Sequence, residues 1–346
     1  MFFKFDALIL YSISQDMLQI YPLKFEPILF SVLWGGTKIK HLKGIEIDSD
    51  CIGESWELSA VPGSVSVISN GVYKGLSIQE LLEQFGEDVV GSKVFEEFGT
   101  TFPLLIKFID AAKDLSIQVH PNDVVAQERH RCLGKTELWY ILEAQEKSSL
   151  YSGFSQAVSK EEFLDKIKKN EVVDVLNKFY TKRGDIFYLP AGRVHSIGAG
   201  NFLVEIQQTS NITYRVYDYD RVDKNGKKRE LHTELAKDSI DYGMYDDYHS
   251  HLILDKQGEH LIKKCDIFTA TLHRLFDEDI MQVSSKGCFT ILICIDGSAT
   301  LVDDAGNVET IRNCETVLLP YKMNSIRIKP SEKTGVEFIS VYVENK

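Results

Sequence analysis

The sequence predicts a mainly β protein made of two antiparallel jelly-roll units, with a few helices packed on the first. Three observations predict it. Short runs alternate apolar and polar residues between turn-forming residues, the signature of half-buried strands. Gly184-Asp185-Ile186-Phe187-Tyr188-Leu189-Pro190 lies over Cys314-Glu315-Thr316-Val317-Leu318-Leu319-Pro320 without a gap, as turn, acid, four strand residues and proline. In that register His195 falls on Ser325. Helical signatures, by contrast, are confined to a few segments. Two copies of a short-stranded unit suggest two β-sandwiches, whose mouths are natural pockets.

Taken in chain order, the elements begin after an extension over residues 1–20. Phe2 to Ile13 is apolar, but only Lys4 precedes the run's core, Asp6 interrupts it, and Gln15-Asp16 follow where a cleavage site would need small residues. It reads as an unprocessed extension, with Met17 as an alternative start. Ser77 with Glu80 and Ser159 with Glu162 fit the capping box, and apolar residues follow each at helical spacing. Strands are expected at Phe102 to Asp110, Leu115 to His120, Glu137 to Glu143, Asp185 to Leu189 and Leu203 to Gln208. From Leu115 onward the alternation is strict: Leu115, Ile117 and Val119 point one way, Ser116, Gln118 and His120 the other. A charged connector, Asp223 to Arg229, reads as a solvated loop, and a helix is expected near Leu231 to Ile240. The boundary falls near residue 245, leaving a second β unit over 246–346 with a hairpin signal at Asp296-Gly297.

Composition excludes several classes. The 346 residues are 44% hydrophobic and 26% charged, ordinary for a globular chain. With 39 Lys+Arg against 51 Asp+Glu the formal charge is -12, which disfavours a nucleic-acid partner. No run of about eighteen apolar residues exists to span a membrane. Six cysteines without a C-x-x-C pair read as reduced thiols, so the expected compartment is the cytoplasm.

Metal-ligand atoms occur at three places on strands or strand ends. Gln118 and His120 share one strand face. Glu137 shares a face with Trp139 and Ile141, and a carboxylate there is costly to bury unless a cation neutralises it. His195 follows the tight Pro190-Ala191-Gly192 turn. Such a nitrogen and oxygen set suits zinc or another divalent metal with an open position, and hydrogen-bonded structural histidines are the alternative. Other signals carry less. Gly198-Ala199-Gly200 lacks the third glycine of a dinucleotide fingerprint, and Gly35-Gly36-Thr37-Lys38 lacks the leading glycine of a phosphate loop. His232, His249, His251 and His260 read as solvated histidines. The last histidine is His273, so the second copy of the repeat cannot build a histidine site from the repeated segment.

Several strings, in order, resemble the type I mannose-6-phosphate isomerases, most closely their short bacterial form. They are Trp34-Gly35-Gly36-Thr37-Lys38, Gly53-Glu54-Ser55-Trp56-Glu57, Phe102-Pro103-Leu104-Leu105-Ile106-Lys107, Gln118-Val119-His120-Pro121-Asn122-Asp123, Gly134-Lys135-Thr136-Glu137 and Tyr214-Arg215-Val216-Tyr217-Asp218. The resemblance covers roughly residues 21 to 240 and implies a cupin fold and zinc-dependent interconversion of mannose 6-phosphate and fructose 6-phosphate. It implies one zinc per chain on His120, Glu137 and His195. Gln118 matches a further ligand of many relatives, where other short members carry lysine. Arg215 matches the family's catalytic arginine, Lys135 and Glu205 match residues lining its active site, and Arg221 falls where longer members have a basic residue. A glycine-x5-P-x-G-x-x-H cupin string runs from Gly184 to His195, with Ala199 in place of the customary asparagine. The domains then read as the 1–20 extension, a 21–245 catalytic zinc-binding cupin and a 246–346 non-catalytic cupin-like unit. The expected partner is a small sugar phosphate, with no nucleic acid or membrane; the oligomeric state is left open, a monomer being compatible with the sequence. An Fe(II) cupin oxygenase and a sugar-binding cupin without turnover are the alternatives. For Arg215 the competing role is a surface ion pair with Asp218 or Asp220.

Overall fold

The computed structural model describes residues 17–46, 51–222, 225–253, 257–276, 280–284 and 286–343. The apolar run from residue 2 to 13 lies outside them. The architecture is mainly β, as expected, and among the described residues every strand pairing is antiparallel.

A seven-stranded sheet carries, from edge to edge, Ser250–His251, Asp185–Leu189, Glu137–Ala144, Asn201–Gln208, Leu104–Ala111, Ile28–Gly36 and Ile52–Leu58. A five-stranded sheet carries Leu176–Tyr180, Ser149–Phe154, His195–Ile197, Ile117–Val119 and Tyr214–Tyr217. The two face one another across a shared core in which Trp139, Ile141, Phe187 and Leu203 meet Leu150 and Ile197. Period two sorts the residues of Glu137–Ala144 between two cores. Trp139 and Ile141 point into the sandwich, while Leu138, Tyr140 and Leu142 point outward against helix Ile78–Val90 and the C-terminal unit. A strand buried on both faces reads as a nearly continuous apolar run, as this one does.

The Ile117–Val119 strand is oriented the other way round. Its apolar residues Ile117 and Val119 face outward, under Phe163 and Ile167 of helix Lys160–Lys168. Gln118 and His120 are therefore left on the inner face. Both expected helix starts carry a complete capping box: Ser77 and Ser159 accept from the backbone of Glu80 and Glu162, whose carboxylates answer the cap nitrogens. The helix expected near Leu231 to Ile240 is only the short Thr233–Ala236. Helices Lys38–Lys43, Ser92–Phe98 and Asp123–His130 carried no box signature, although Asn122 caps the last by accepting from Val125 N at 3.0 Å.

The two segments of the internal repeat form matching strands, Asp185–Leu189 in the first unit and Thr316–Leu319 in the C-terminal one, followed by strands opening at His195 and Ser325. The hairpin expected at Asp296-Gly297 is not a turn. Both residues lie inside the fourteen-residue strand Thr290–Asp303, where the register against Val336–Tyr342 slips between Cys294 and Asp296. Gly297 adopts φ 71°, so the aspartate-glycine pair forms a bulge. Beyond it the strand leaves Thr316–Leu319 and pairs with Val308–Arg312 and Ser325–Pro330.

The two units share one core. The Phe102 and Phe289 rings, both fully buried, have centroids 4.6 Å apart. Each unit also carries a strand belonging to the other. Leu23–Lys24 pairs with Thr316–Leu319 of the C-terminal sheet, and Ser250–His251 edges the N-terminal one. Among the described residues no helix is long and apolar enough to cross a membrane.

Candidate metal centre and active site

Strand register brings distant segments together on the inner face. His195 and Arg215 both sit opposite Gln118, from the strands on either side of it. On the other sheet Glu205 lies opposite both Lys107 and Trp139, and Gln207 lies opposite Glu137. The turn that delivers His195 closes with Arg193 N on Pro190 O (3.1 Å) and Gly192 N on His120 O (2.9 Å). Gly192 has φ 94°, a conformation natural only to glycine.

His120, Glu137 and His195 are all buried, and their ligand atoms lie within 4.8 Å of one another. Glu137 Oε1 is 3.2 Å from His195 Nε2, and Oε2 is 3.7 Å from His120 Nε2. His120 Nδ1 is 2.8 Å from the Ile212 carbonyl and His195 Nδ1 is 2.8 Å from the Arg193 carbonyl. A carbonyl only accepts, so each Nδ1 carries the proton and each Nε2 presents a lone pair to the cluster. Among the described residues neither Glu137 oxygen accepts a well-formed hydrogen bond, although Lys135 Nζ lies 2.8 Å from Oε2. Burial pushes the Glu137 carboxyl up and both imidazoles down, to about 3 for His195. Neutral imidazoles with converging lone pairs and an under-bonded carboxylate fit a divalent cation. Gln118 presents its amide nitrogen 3.3 Å from His195 Nε2 while its oxygen faces Ser116 Oγ at 3.4 Å. Ligation through its oxygen requires the amide to be turned over.

Beside the cluster lies a buried charge network. Lys135 Nζ is 3.1 Å from His120 Nε2 and 3.9 Å from Glu205 Oε1. Lys107 Nζ bridges Glu205 Oε1 (3.0 Å) and Glu54 Oε2 (3.5 Å), lying 4.8 Å from the Trp56 ring centre. Trp139 Nε1 donates to Glu205 Oε2 at 2.7 Å. Burial pushes the Glu205 carboxyl up, but Lys107, Lys135 and the Trp139 indole outweigh it and hold the group below the usual carboxylate range. Burial likewise works against Lys107, and the Glu205 and Glu54 charges more than reverse it. Three carboxylates here face two ammonium groups, so a cation improves the charge balance.

The network opens into a cavity of about 310 Å³ lined by Trp34, Gln118, Lys135, Glu205, Arg215 and Arg229, among others. Arg215 is half-buried there. Its Nε donates to Ser116 Oγ (3.2 Å) and its Nη1 to the Glu230 carbonyl (2.9 Å). Its guanidinium therefore faces the cavity rather than forming a surface pair with Asp218 or Asp220.

Comparison with known proteins agrees with this geometry. Residues 23–148 match the model of the phosphomannose isomerase type I catalytic domain. The mannose-6-phosphate isomerase ManA of Bacillus subtilis is 34% identical over 314 residues, 89% of this chain and 96% of the relative. The chain belongs to the type I phosphomannose isomerase family. Further support comes from the mannose-6-phosphate isomerase of Streptococcus mutans, 42% identical over 64% of this chain and 68% of the relative. The crystal structure of the Bacillus subtilis mannose 6-phosphate isomerase superimposes with a TM-score of 0.79 at 32% identity, covering 94% of this chain and all of that one. Membership makes the protein an isomerase.

Sequence reading missed part of this isomerase's cavity. Lys107 and Glu54 fall in family-like strings that imply no role for them, although a lysine inside Leu104–Ala111, a strand buried throughout, is as conspicuous as Glu137. Arg229, expected in a solvated loop, lines the cavity, because Asp218 holds its guanidinium inward. Three histidines expected to be solvated are engaged. His249 Nε2 and His251 Nδ1 lie 3.0 and 2.8 Å from buried Asp185 Oδ1, and His232 Nδ1 accepts from Arg215 N at 3.2 Å. Each thereby ties the connector to the first sandwich.

Proposed function

We propose that this isomerase interconverts mannose 6-phosphate and fructose 6-phosphate by moving one proton between C2 and C1 through an enediol. The observation that carries the reading is a buried His/Glu/His cluster beside the Lys135–Glu205–Lys107 network, whose three residues line a cavity together with Arg215 and Arg229. His120, Glu137 and His195 would hold one zinc, with Gln118 as a further ligand once its amide is turned. Bound there, zinc would supply Lewis acidity towards the sugar oxygens, worth several kcal/mol in a site poor in water.

The chain's own residues supply the rest. Glu205, kept ionised by Lys107 and Trp139, is the group able to accept a proton. Lys135, between Glu205 and the cluster, can return one to a neighbouring oxygen. Which of the two takes the C–H proton is decided by substrate pose. Arg215, fixed by Ser116 and Glu230, offers Nη2 to the charge that develops on the enediol oxygens. The cationic lining favours an anionic sugar over the substrates of a cupin oxygenase. Residues 21–245 would form the catalytic unit, zinc-binding and cytoplasmic, and 246–346 a non-catalytic one. Metal analysis with a coupled assay for fructose 6-phosphate tests this reading. Chelation should abolish turnover and zinc should restore it, whereas full activity in a verified metal-free preparation would refute it.

A further inference from the structure

Two arginines converge on one carboxylate at the rim of the cavity, beside a third, Arg215. Asp218, buried, accepts from Arg229 Nε at Oδ2 (2.8 Å) and from the Nη2 atoms of both Arg229 and Arg221 at Oδ1. Every nitrogen of Arg221 already has a protein acceptor. Its Nε donates to the Asp218 carbonyl (3.3 Å) and its Nη1 to the Asp114 carbonyl, and it does not line the cavity. Arg229 does line it, and its Nη1 makes no hydrogen bond among the described residues. The Glu230 carbonyl, next in the chain, anchors Arg215 Nη1, so the two guanidinium groups are fixed relative to each other.

The charges are unbalanced. Three guanidinium groups face the carboxylates of Asp218 and Glu230, and burial together with the Arg229 and Arg221 charges outweighs those carboxylates and pushes the Arg215 guanidinium below its usual range. An anion is the missing partner for this excess of positive charge, and a phosphate monoester, which carries about -1.5 to -2 at pH 7, supplies it. Resting on the sugar-phosphate reading above, we propose that Arg229 is the phosphate-binding residue of this site, positioned by Asp218, while Arg221 braces that carboxylate from outside the cavity. Two nitrogens of a planar fork are clamped by Asp218, which leaves the third aimed without loss of side-chain freedom on binding. Arg215 then serves the reacting end and Arg229 the phosphate end.

The test uses zinc-replete enzyme and two probes, mannose 6-phosphate in steady-state kinetics and inorganic phosphate in calorimetric titration. Arg229→Gln should raise KM about 10- to 100-fold and weaken phosphate binding by a similar factor, with kcat within a few-fold, because the contact is made equally in ground and transition states. Arg229→Lys, which keeps the charge but not the fork, should fall between. Arg221→Gln removes the same charge from outside the cavity and should move KM far less. Unchanged KM and phosphate affinity in Arg229→Gln, equal KM rises in both glutamine variants, or no phosphate binding by the unsubstituted enzyme would each overturn the subsite. A wild-type enzyme that binds phosphate through Arg229 but does not turn over mannose 6-phosphate would instead refute the functional reading alone.

Discussion

Replacing Lys107 by methionine separates a base held ionised by its neighbours from one that is ionised regardless. In the native protein the Glu205 carboxyl lies below its ordinary value because Lys107 (3.0 Å), Lys135 (3.9 Å) and Trp139 outweigh its burial. The carboxylate therefore contributes stability that is present above its unfolded pKa and lost as pH falls through the lower folded value. Methionine keeps the length of the side chain and removes the largest opposing charge. Breaking one partner of a buried ion pair costs about 3 to 5 kcal/mol, which at 1.36 kcal/mol per unit is an upward displacement of about 2 to 4 pKa units. The kcat/KM profile of Lys107→Met should show a new acid limb displaced upward by that amount, with activity recovering at alkaline pH. Lys107→Arg should return the limb towards its native position. Metal content and circular dichroism establish that the variant is folded and loaded. A uniform loss of activity with no displaced limb would refute the assignment of Glu205 as the ionised base.

Arg215→Lys retains a charge but loses the donors to Ser116 and Glu230, so kcat should fall about 10²- to 10³-fold with little change in KM; an unchanged kcat at saturating substrate would remove Arg215 from the reacting end. His195→Ala should abolish stoichiometric zinc binding in metal analysis while the folded β signal persists, and a variant that still binds one zinc tightly would exclude His195 as a ligand. Phe289→Ala, at the joint of the two sandwiches, should cost about 3 to 5 kcal/mol in denaturant unfolding; a loss below about 1 kcal/mol would mean that the units are not coupled through the Phe102–Phe289 contact.

Those parts of the site that strand periodicity exposes were readable early. Gln118 and His120 stand out as the polar side of an alternating strand, and Glu137 as a charge among apolar residues. What periodicity cannot supply is which face turns inward. Ile117 and Val119 face a helix and Gln118 and His120 face the inside of the sandwich, an inversion that depends on helix Lys160–Lys168 packing from outside. Arg229 was hidden because a guanidinium turned into a pocket and one turned into water have the same local sequence; only the long-range placement of Asp218 separates them. Asp296-Gly297 was misread for a related reason. A tight turn and a bulge both ask for a residue at positive φ, and the pairing partner, remote in sequence, decides between them.

The exchange of strands between the two sandwiches limits how the gene can be divided. A cut at the connector would leave Leu23–Lys24 attached to the half that does not use it, and Ser250–His251 likewise. The C-terminal fragment would expose an unpaired border along Thr316–Leu319, the kind of edge at which β proteins aggregate. Each fragment would also carry the strip its counterpart lacks. Produced together, the halves should therefore reassemble into a soluble complex, whereas either one produced alone should precipitate.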